Sequence, residues 1–208
     1  MYNISMKVKT ASSPVEKLRG MLRDKNGFLL ASDVTKQGIP RTYLSILEKN
    51  GEIQRVSRGV YAAANAMTDE MSELQARYKS AIFSHETALY LHDLTDRSPL
   101  FYSVTVPSGY NATLLKEGGA KVYFVKRALY PVGLTTIESP HGNAIKTYNL
   151  ERTLCDVIRS RSQIDIQLVN DALKRYVSRR EKNIDLLYRY AEQFRIQKII
   201  RTYLEVLL

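Results

Sequence analysis

The strongest constraint on the fold is a helical segment at residues 40–49 that has one apolar and one polar face. At about 100° per residue, the apolar face collects Tyr43, Leu44, Ile46 and Leu47. The opposite face collects Arg41, Thr42, Ser45, Glu48 and Lys49. The apolar face must pack against other elements, whereas the polar face presents groups that donate hydrogen bonds to phosphates or to base edges.

Two shorter helices are predicted before this segment. The first begins at Ser13, which can act as its cap, and Glu16 completes a capping box. Ser32 is expected to cap the second helix, which covers residues 33–37 and ends at Gly38. These two helices supply the surface against which the apolar face of the longer segment packs.

The residues after the amphipathic segment predict a β-hairpin. Two β-prone runs, residues 52–56 and 60–62, flank a tight turn that ends at Gly59. We expect the tip of this hairpin to carry two cations, Arg55 and Arg58.

Three helices followed by a hairpin predict a winged helix-turn-helix at the N-terminus. In this fold the second helix of the motif lies in the major groove of DNA, and the hairpin, or wing, reaches the neighbouring backbone. A winged helix that contacts only proteins is the alternative, but the cations of the polar face and the wing favour double-stranded DNA. The residues expected to contact DNA are Arg41, Thr42, Tyr43, Ser45, Lys49, Arg55, Ser57 and Arg58.

The overall charge points to the same class of partner. The 208 residues include 31 Lys and Arg against 21 Asp and Glu, a formal net charge of +10, which favours a polyanion through long-range attraction. The single cysteine, Cys155, is expected to be a buried, inert thiol and fits a cytoplasmic protein. Since neither a signal peptide nor a bilayer-spanning run is recognisable, we expect no membrane partner.

The pattern changes after a small polar junction at residues 63–68. Residues 69–83 predict a linking helix, and Ser84 is expected to cap the next helix, which ends at Leu91. Asn149 is expected to cap the first of four amphipathic helices that close the chain. Short β-prone segments lie between these helical regions, at residues 101–106, 121–125, 134–137 and 144–148.

The whole pattern predicts an α+β protein with two domains, for which 208 residues suffice. Residues 1–68 are the winged helix-turn-helix DNA-binding domain. Residues 69–208 are a domain in which a small β-sheet packs on a helical layer.

A group of basic residues is expected at one helix end of the second domain. These residues are Lys174, Arg175, Arg179, Arg180 and Lys182. One interpretation is a solvated face, since cations are favourable near a helix C-terminus. The other is a second polyanion-binding surface, and the sequence leaves both open.

No motif indicates catalysis or metal binding. His85 and His92 could align on one helix, but no third ligand converges on them, so we expect ordinary positions on the helix surface or at the edge of the core. His141 lies in a turn. The chain contains neither a glycine-rich phosphate loop nor a nucleophile elbow. We therefore expect no enzyme activity, no cofactor and no metal.

Four segments resemble known bacterial regulators. Residues 38–44 (GIPRTYL) and 56–61 (VSRGVY) are similar to the winged helix of antitoxin-like regulators. Residues 83–89 (FSHETAL) and 147–156 (TYNLERTLCD) resemble the AbiEi family, the antitoxins of type IV toxin–antitoxin systems that abort phage infection. The resemblance covers nearly the whole chain, and the later two segments together are more specific than the wing motif.

The resemblance implies functions that the residue pattern alone does not indicate. It implies an N-terminal domain that represses its own operon at inverted repeats, and a C-terminal domain that is needed for antitoxicity. It also implies a nucleotidyltransferase-like toxin that is countered without a stable complex. The alternatives are a plain regulator whose second domain binds protein or self-associates, and a nucleic-acid-processing enzyme.

Overall fold

The computed structural model describes residues 13–25, 27–64 and 69–207. The chain divides into two compact units, Met1–Asp69 and Glu70–Leu208, called here the N-terminal and the C-terminal unit. The last four residues of the junction expected at 63–68 lie outside the described residues. Each unit has a buried core of its own and is described separately.

In the described part of the N-terminal unit, the helices are α1 (Pro14–Asp24), α2 (Ala31–Lys36) and α3 (Thr42–Lys49). The capping box predicted for α1 is confirmed. The Ser13 hydroxyl accepts from the Glu16 N–H at 3.2 Å, and the Glu16 carboxylate accepts from the Ser13 N–H at 3.0 Å. Two of the N–H groups that a helix start leaves unpaired are satisfied in this way.

The cap predicted for α2 is wrong. Ser32 lies inside the helix, which begins at Ala31 and has Leu30 at its N-cap without a side-chain cap bond. The Ala31 N–H donates instead to the Gly59 carbonyl in the hairpin turn, at 2.9 Å. Because a distant carbonyl satisfies this N–H, the chain passes directly from strand to helix.

The small sheet of this unit consists of β1 (Phe28–Leu30), β2 (Ile53–Ser57) and β3 (Val60–Ala63). The strands are antiparallel in the order β1-β3-β2, and β2 and β3 form the predicted hairpin with Arg58 and Gly59 in the turn. The prediction that Arg55 lies at the tip is wrong. Arg55 pairs with Tyr61 inside the ladder, and a register shift between Arg55 and Ser57 separates it from the turn.

The core of the N-terminal unit collects the apolar faces of the helices and strands. Its main buried residues are Leu18, Leu22, Leu29, Val34, Ile39, Leu44, Leu47 and Ile53. Tyr43 packs against this core, as its predicted face requires. Ile46 does not, since it is 43% exposed. Ile46 lies about 100° from Leu47 around the helix, at the edge of the apolar face, where burial is incomplete.

The C-terminal unit contains a sheet of β4 (Ile82–Phe83), β5 (Ser103–Pro107), β6 (Lys121–Val125), β7 (Leu134–Glu138) and β8 (Ala144–Tyr148). Its order is β6-β5-β4-β8-β7, with parallel pairs at β5–β6 and β4–β8 and antiparallel pairs at β4–β5 and β7–β8. The central strand β4 was not predicted, because two residues are too few to show an alternating pattern.

Two short helices, α4 (Glu70–Arg77) and α6 (Thr113–Glu117), pack with the sheet. Met71 of α4 and Leu115 of α6 are buried in one apolar cluster with Phe83 of β4. The bounds predicted for the linking helix, 69–83, are therefore wrong, because α4 ends at Arg77. Its packing is within the C-terminal unit.

The helical layer consists of α5 (His85–Leu91), α7 (Leu150–Arg159), α8 (Ile166–Ser178), α9 (Ile184–Gln193) and α10 (Gln197–Leu207). Asn149 caps α7 as predicted, accepting from the Arg152 N–H at 3.0 Å. Ser84 precedes α5 but does not cap it, because its hydroxyl bonds to His85 and Thr105. Within the described ranges, no helix is both long and apolar enough to cross a bilayer.

Helix α7 lies at the centre of this layer. It packs against α5, α8, α9 and α10, and its residues from Glu151 to Ile158 are all buried. A buried charge is tolerated only when it is paired. The Nε of Arg152 donates to the Asp156 carboxylate at 2.9 Å, and its Nη1 donates to the carbonyls of Leu129 and Val132, both at 2.7 Å.

The turn before β7 approaches α7 closely at Gly133. The φ of Gly133 is +74°, and a Cβ there would lie 2.6 Å from the Cβ of Arg152. Its carbonyl accepts from the Asn149 N–H at 2.8 Å. Only glycine combines this backbone conformation with so short an approach.

Replacing Gly133 by alanine should destabilise the C-terminal unit more than the same change at Gly119. Both residues have a positive φ, +74° and +83°, but a Cβ at Gly119 would meet nothing within 4 Å. Gly119→Ala should cost about 1 kcal/mol through backbone strain. Gly133→Ala should cost about 1–3 kcal/mol more, because its Cβ overlaps Arg152. Urea unfolding measures both free energies, and equal losses would contradict the close approach.

Candidate nucleic-acid interface

The polar face of α3 is open to solvent in the N-terminal unit. Its exposed residues are Arg41, Thr42, Ser45, Glu48 and Lys49. Leu44 and Leu47 on the opposite face are buried, so the core fixes the rotation of the helix about its axis. Tyr43 is half-buried, because it lies between the two faces and packs partly on the core.

Arg41 is held between the two helices of the motif. It is the N-cap residue of α3, and its Nε donates to the Thr35 hydroxyl near the end of α2, at 3.1 Å. The Thr35 hydroxyl donates in turn to the Ala31 carbonyl at 2.8 Å. Anchoring through Nε reduces the side-chain freedom that a bound Arg41 would otherwise lose.

The turn between α2 and α3 has a defined conformation that depends on Gly38 and Ile39. Gly38 has a φ of +70°, which favours glycine, and Pro40 follows two residues later. Between them, Ile39 is buried in the core. The backbone conformation of Gly38 and the buried side chain of Ile39 therefore fix the turn, which places Arg41 at the start of α3.

The wing presents two arginines at different positions. Arg58 is exposed in the turn, beside Gly59 with a φ of +78°. Arg55 is exposed on β2, and Ser57 between them is half-buried. A hairpin of this length can place one cation at its tip and another along its side.

The charge of the N-terminal unit is distributed unevenly. The described residues between 13 and 64 include nine Lys and Arg against five Asp and Glu. Arg19 pairs with Glu52 at 2.8 Å, and Lys25 pairs with Asp33. Hydrogen bonds from these two cations lower the pKa of both carboxyls. Among the described residues, no ion pair involves the cations of α3 or the wing, whose charge can therefore act on a partner.

The basic group of the C-terminal unit lies only partly at a helix end. Lys174 and Arg175 are in the last turns of α8, which ends at Ser178. The other three, Arg179, Arg180 and Lys182, follow the helix. Lys174 and Arg180 are exposed.

Three members of this group have partners inside the C-terminal unit. Arg175 forms an ion pair with Asp96 and lowers the pKa of that carboxyl through its hydrogen bonds. Arg179 donates to the His92 carbonyl, and Lys182 donates to the Arg179 carbonyl at 3.1 Å. These contacts engage donor groups of Arg175, Arg179 and Lys182 within the protein, so a second polyanion-binding surface would depend chiefly on the exposed Lys174 and Arg180.

The histidines differ in their surroundings. His85 is only 3% exposed, so the prediction of a helix-surface or core-edge position is wrong for it. His92 is half-buried, and its Nε2 lies 2.6 Å from the Tyr148 carbonyl. Cys155 is buried as predicted, and burial raises the pKa of its thiol. Across the described residues, no group of three or more His, Cys, Asp or Glu is placed to hold a metal ion.

Sequence reasoning missed the buried Arg152–Asp156 pair. Opposite charges four residues apart share one face of a helix. On α7, Arg152 and Asp156 lie among Leu154, Val157 and Ile158, which are all buried. A pair in these surroundings is expected to be buried as well. The position of this charged pair between apolar residues of the helix was the available signal.

Comparisons with known proteins relate both units to described folds. Residues 18–64 match the model of a family described as "Transcriptional regulator, AbiEi antitoxin", which confirms the resemblance over these residues. The crystal structure of the RV2827C protein from Mycobacterium tuberculosis is similar over 89% of this chain and 73% of that chain, with a TM-score of 0.55. At 13% sequence identity this likeness shows the fold alone. None of the curated proteins matches the chain.

Proposed function

We propose that the protein is a cytoplasmic antitoxin and the transcriptional autorepressor of a type IV toxin–antitoxin operon. It binds inverted repeats in its own promoter and counters a nucleotidyltransferase-like toxin without a stable complex. The observation that carries DNA binding is the exposed polar face of α3 beside a wing with two exposed arginines. The family match over residues 18–64 supports the regulatory and antitoxin role.

In this proposal α3 lies in the major groove. Arg41 reads a base edge, since a guanidinium can donate two parallel hydrogen bonds to guanine. The Thr42 and Ser45 hydroxyls donate to bases or phosphates, and Lys49 contacts a phosphate. Because Thr35 holds the Nε of Arg41, its two terminal nitrogens are the groups that meet the base.

The wing contacts the neighbouring backbone. Arg58 at the turn and Arg55 along β2 neutralise phosphates, and Ser57 adds a hydroxyl donor. Tyr43 contributes from the half-buried edge of α3. Phosphate contacts of this kind position the domain on the duplex, while α3 supplies the sequence preference.

The C-terminal unit supplies antitoxicity in this proposal. Its exposed Lys174 and Arg180 suit a second polyanion, such as an RNA that the toxin also uses. A plain regulator, whose C-terminal unit only self-associates, would bind the same promoter but would not restore growth in the presence of the toxin.

Arg41→Ala should weaken binding to the promoter duplex by about 1–3 kcal/mol and relax sequence preference. Fluorescence anisotropy on the promoter and on a scrambled duplex measures both effects. Lys17→Ala, which removes an exposed cation from α1, is the control and should keep the wild-type preference. Unchanged affinity and selectivity in Arg41→Ala would count against the placement of α3 in the groove.

Loss of either wing arginine should weaken binding to all duplexes alike, because phosphates carry no sequence information. In Arg55→Ala and Arg58→Ala, the slope of log affinity against log salt should fall by about 1. A salt titration of each variant on the promoter and the scrambled duplex provides this slope. If neither variant changes it, the wing does not touch DNA.

Repression and antitoxicity should be separable between the two units. A fragment of residues 1–69 should bind the promoter duplex, more weakly than the full chain if cooperative contacts are lost. It should not restore growth when the adjacent toxin gene is co-expressed, whereas the full chain should. A folded fragment without DNA affinity at low salt would contradict the modular function. Failure of the full chain to rescue growth would favour the plain regulator.

A further inference from the structure

A polar cleft in the C-terminal unit takes no part in the proposed function. It has a volume of about 360 Å³ and lies where β5 and β6 meet the end of α7. Its polar lining includes His85, Asp156, Arg159, Ser160, Ser162 and Gln163. His85 comes from residues 83–89 and Asp156 from residues 147–156. The two sequence segments that carried the more specific resemblance therefore converge on this cleft.

A chain of hydrogen bonds orients the cleft wall. The Thr105 hydroxyl donates to the Ser84 hydroxyl oxygen at 2.8 Å, and Nδ1 of His85 lies 2.9 Å from the same oxygen. Nε2 of His85 lies 3.1 Å from the Ser160 hydroxyl oxygen. The imidazole therefore bridges two hydroxyl groups and fixes the position of Ser160 at the cleft.

The His85 ring is held in a fixed position in the cleft wall. Its ring stacks on that of Tyr123 with 3.4 Å between the centroids and 9° between the planes. Its φ of +49° is a left-handed conformation that L-residues rarely adopt, and such strain concentrates at functional sites. Burial, and then the charges of Arg152, Lys121 and Arg159, lower its pKa well below the usual value, so the imidazole stays neutral.

The charges around the cleft favour an anion that also carries hydroxyl groups. Arg159 is exposed, and among the described residues no ion pair involves it. Asp156 is buried and commits Oδ2 to Arg152 at 2.9 Å, which offsets its charge. Its Oδ1 is the oxygen that a ligand hydroxyl would approach. A simple anion would leave this acceptor without a donor.

We propose that this cleft binds a sugar phosphate, either free or as part of a nucleotide. The Arg159 guanidinium and the Ser160 hydroxyl hold the phosphate, since a guanidinium matches phosphate oxygens with parallel hydrogen bonds. A sugar hydroxyl donates to Asp156. The volume of the cleft falls in the range of small-molecule sites, about 300–1,000 Å³, and suits a ligand of this size.

Calorimetric titration of the full chain at constant ionic strength tests the ligand class. Ribose 5-phosphate and adenosine monophosphate should bind, and ribose or inorganic phosphate alone should bind at least about tenfold more weakly. Equal affinities for the two esters would identify the sugar phosphate as sufficient, and tighter binding of adenosine monophosphate would identify a nucleotide. No binding of either ester at millimolar concentration, or equal affinity for inorganic phosphate, would overturn the proposal.

Substitutions locate the binding site. Arg159→Gln and Ser160→Ala should each weaken binding of both esters by about tenfold, as expected for a lost hydrogen bond to a charged group. Lys198→Gln, which removes an exposed cation from α10, is the matched control and should bind like the parent. Melting temperatures without ligand show which variants are folded. Parent-like binding in folded Arg159→Gln and Ser160→Ala, or an equal loss in Lys198→Gln, would overturn the assignment.

Discussion

The C-terminal unit is organised around one guanidinium that has no contact with solvent. Arg152 lies on α7, whose neighbours enclose it, so its charge must be satisfied from within the protein. Asp156 supplies the opposite charge at 2.9 Å, and the guanidinium lies 4.1 and 4.2 Å from the ring centroids of Tyr148 and Phe194. Removing one partner of such a buried pair typically costs about 3–5 kcal/mol. The central helix and the turn before β7 therefore depend on this group.

The Arg152–Asp156 ion pair also borders the polar cleft, because Asp156 lines it. One carboxylate oxygen of Asp156, Oδ2, accepts a hydrogen bond from Arg152. Asp156 also lines the cleft, together with His85 and Ser160. Burial raises the pKa of Asp156, and the guanidinium opposes that rise. The Arg152–Asp156 pair, which lies within the helical layer, thus also contributes to the charge of the cleft.

What the sequence could predict depended on whether the deciding contacts were local. The capping box at Ser13 is local, and it was predicted correctly. The start of α2 was not, because it depends on a bond from Ala31 to Gly59 in a strand turn far along the chain. The position of Arg55 depended on a register shift that no spacing rule reveals. The burial of His85 depended likewise on partners from two distant segments, Tyr123 and Ser160, so the sequence alone could not predict the cleft.

The function proposed for the N-terminal unit requires that α3 and the wing form the DNA-binding surface. Chemical-shift mapping of the isotope-labelled full chain, titrated with a duplex of its own promoter, tests this claim residue by residue. We expect the largest shifts at the backbone amides of residues 41–49 and 55–58, with buried Leu18 and Leu29 little affected. Shifts confined to the C-terminal unit, with residues 41–49 unchanged, would contradict it.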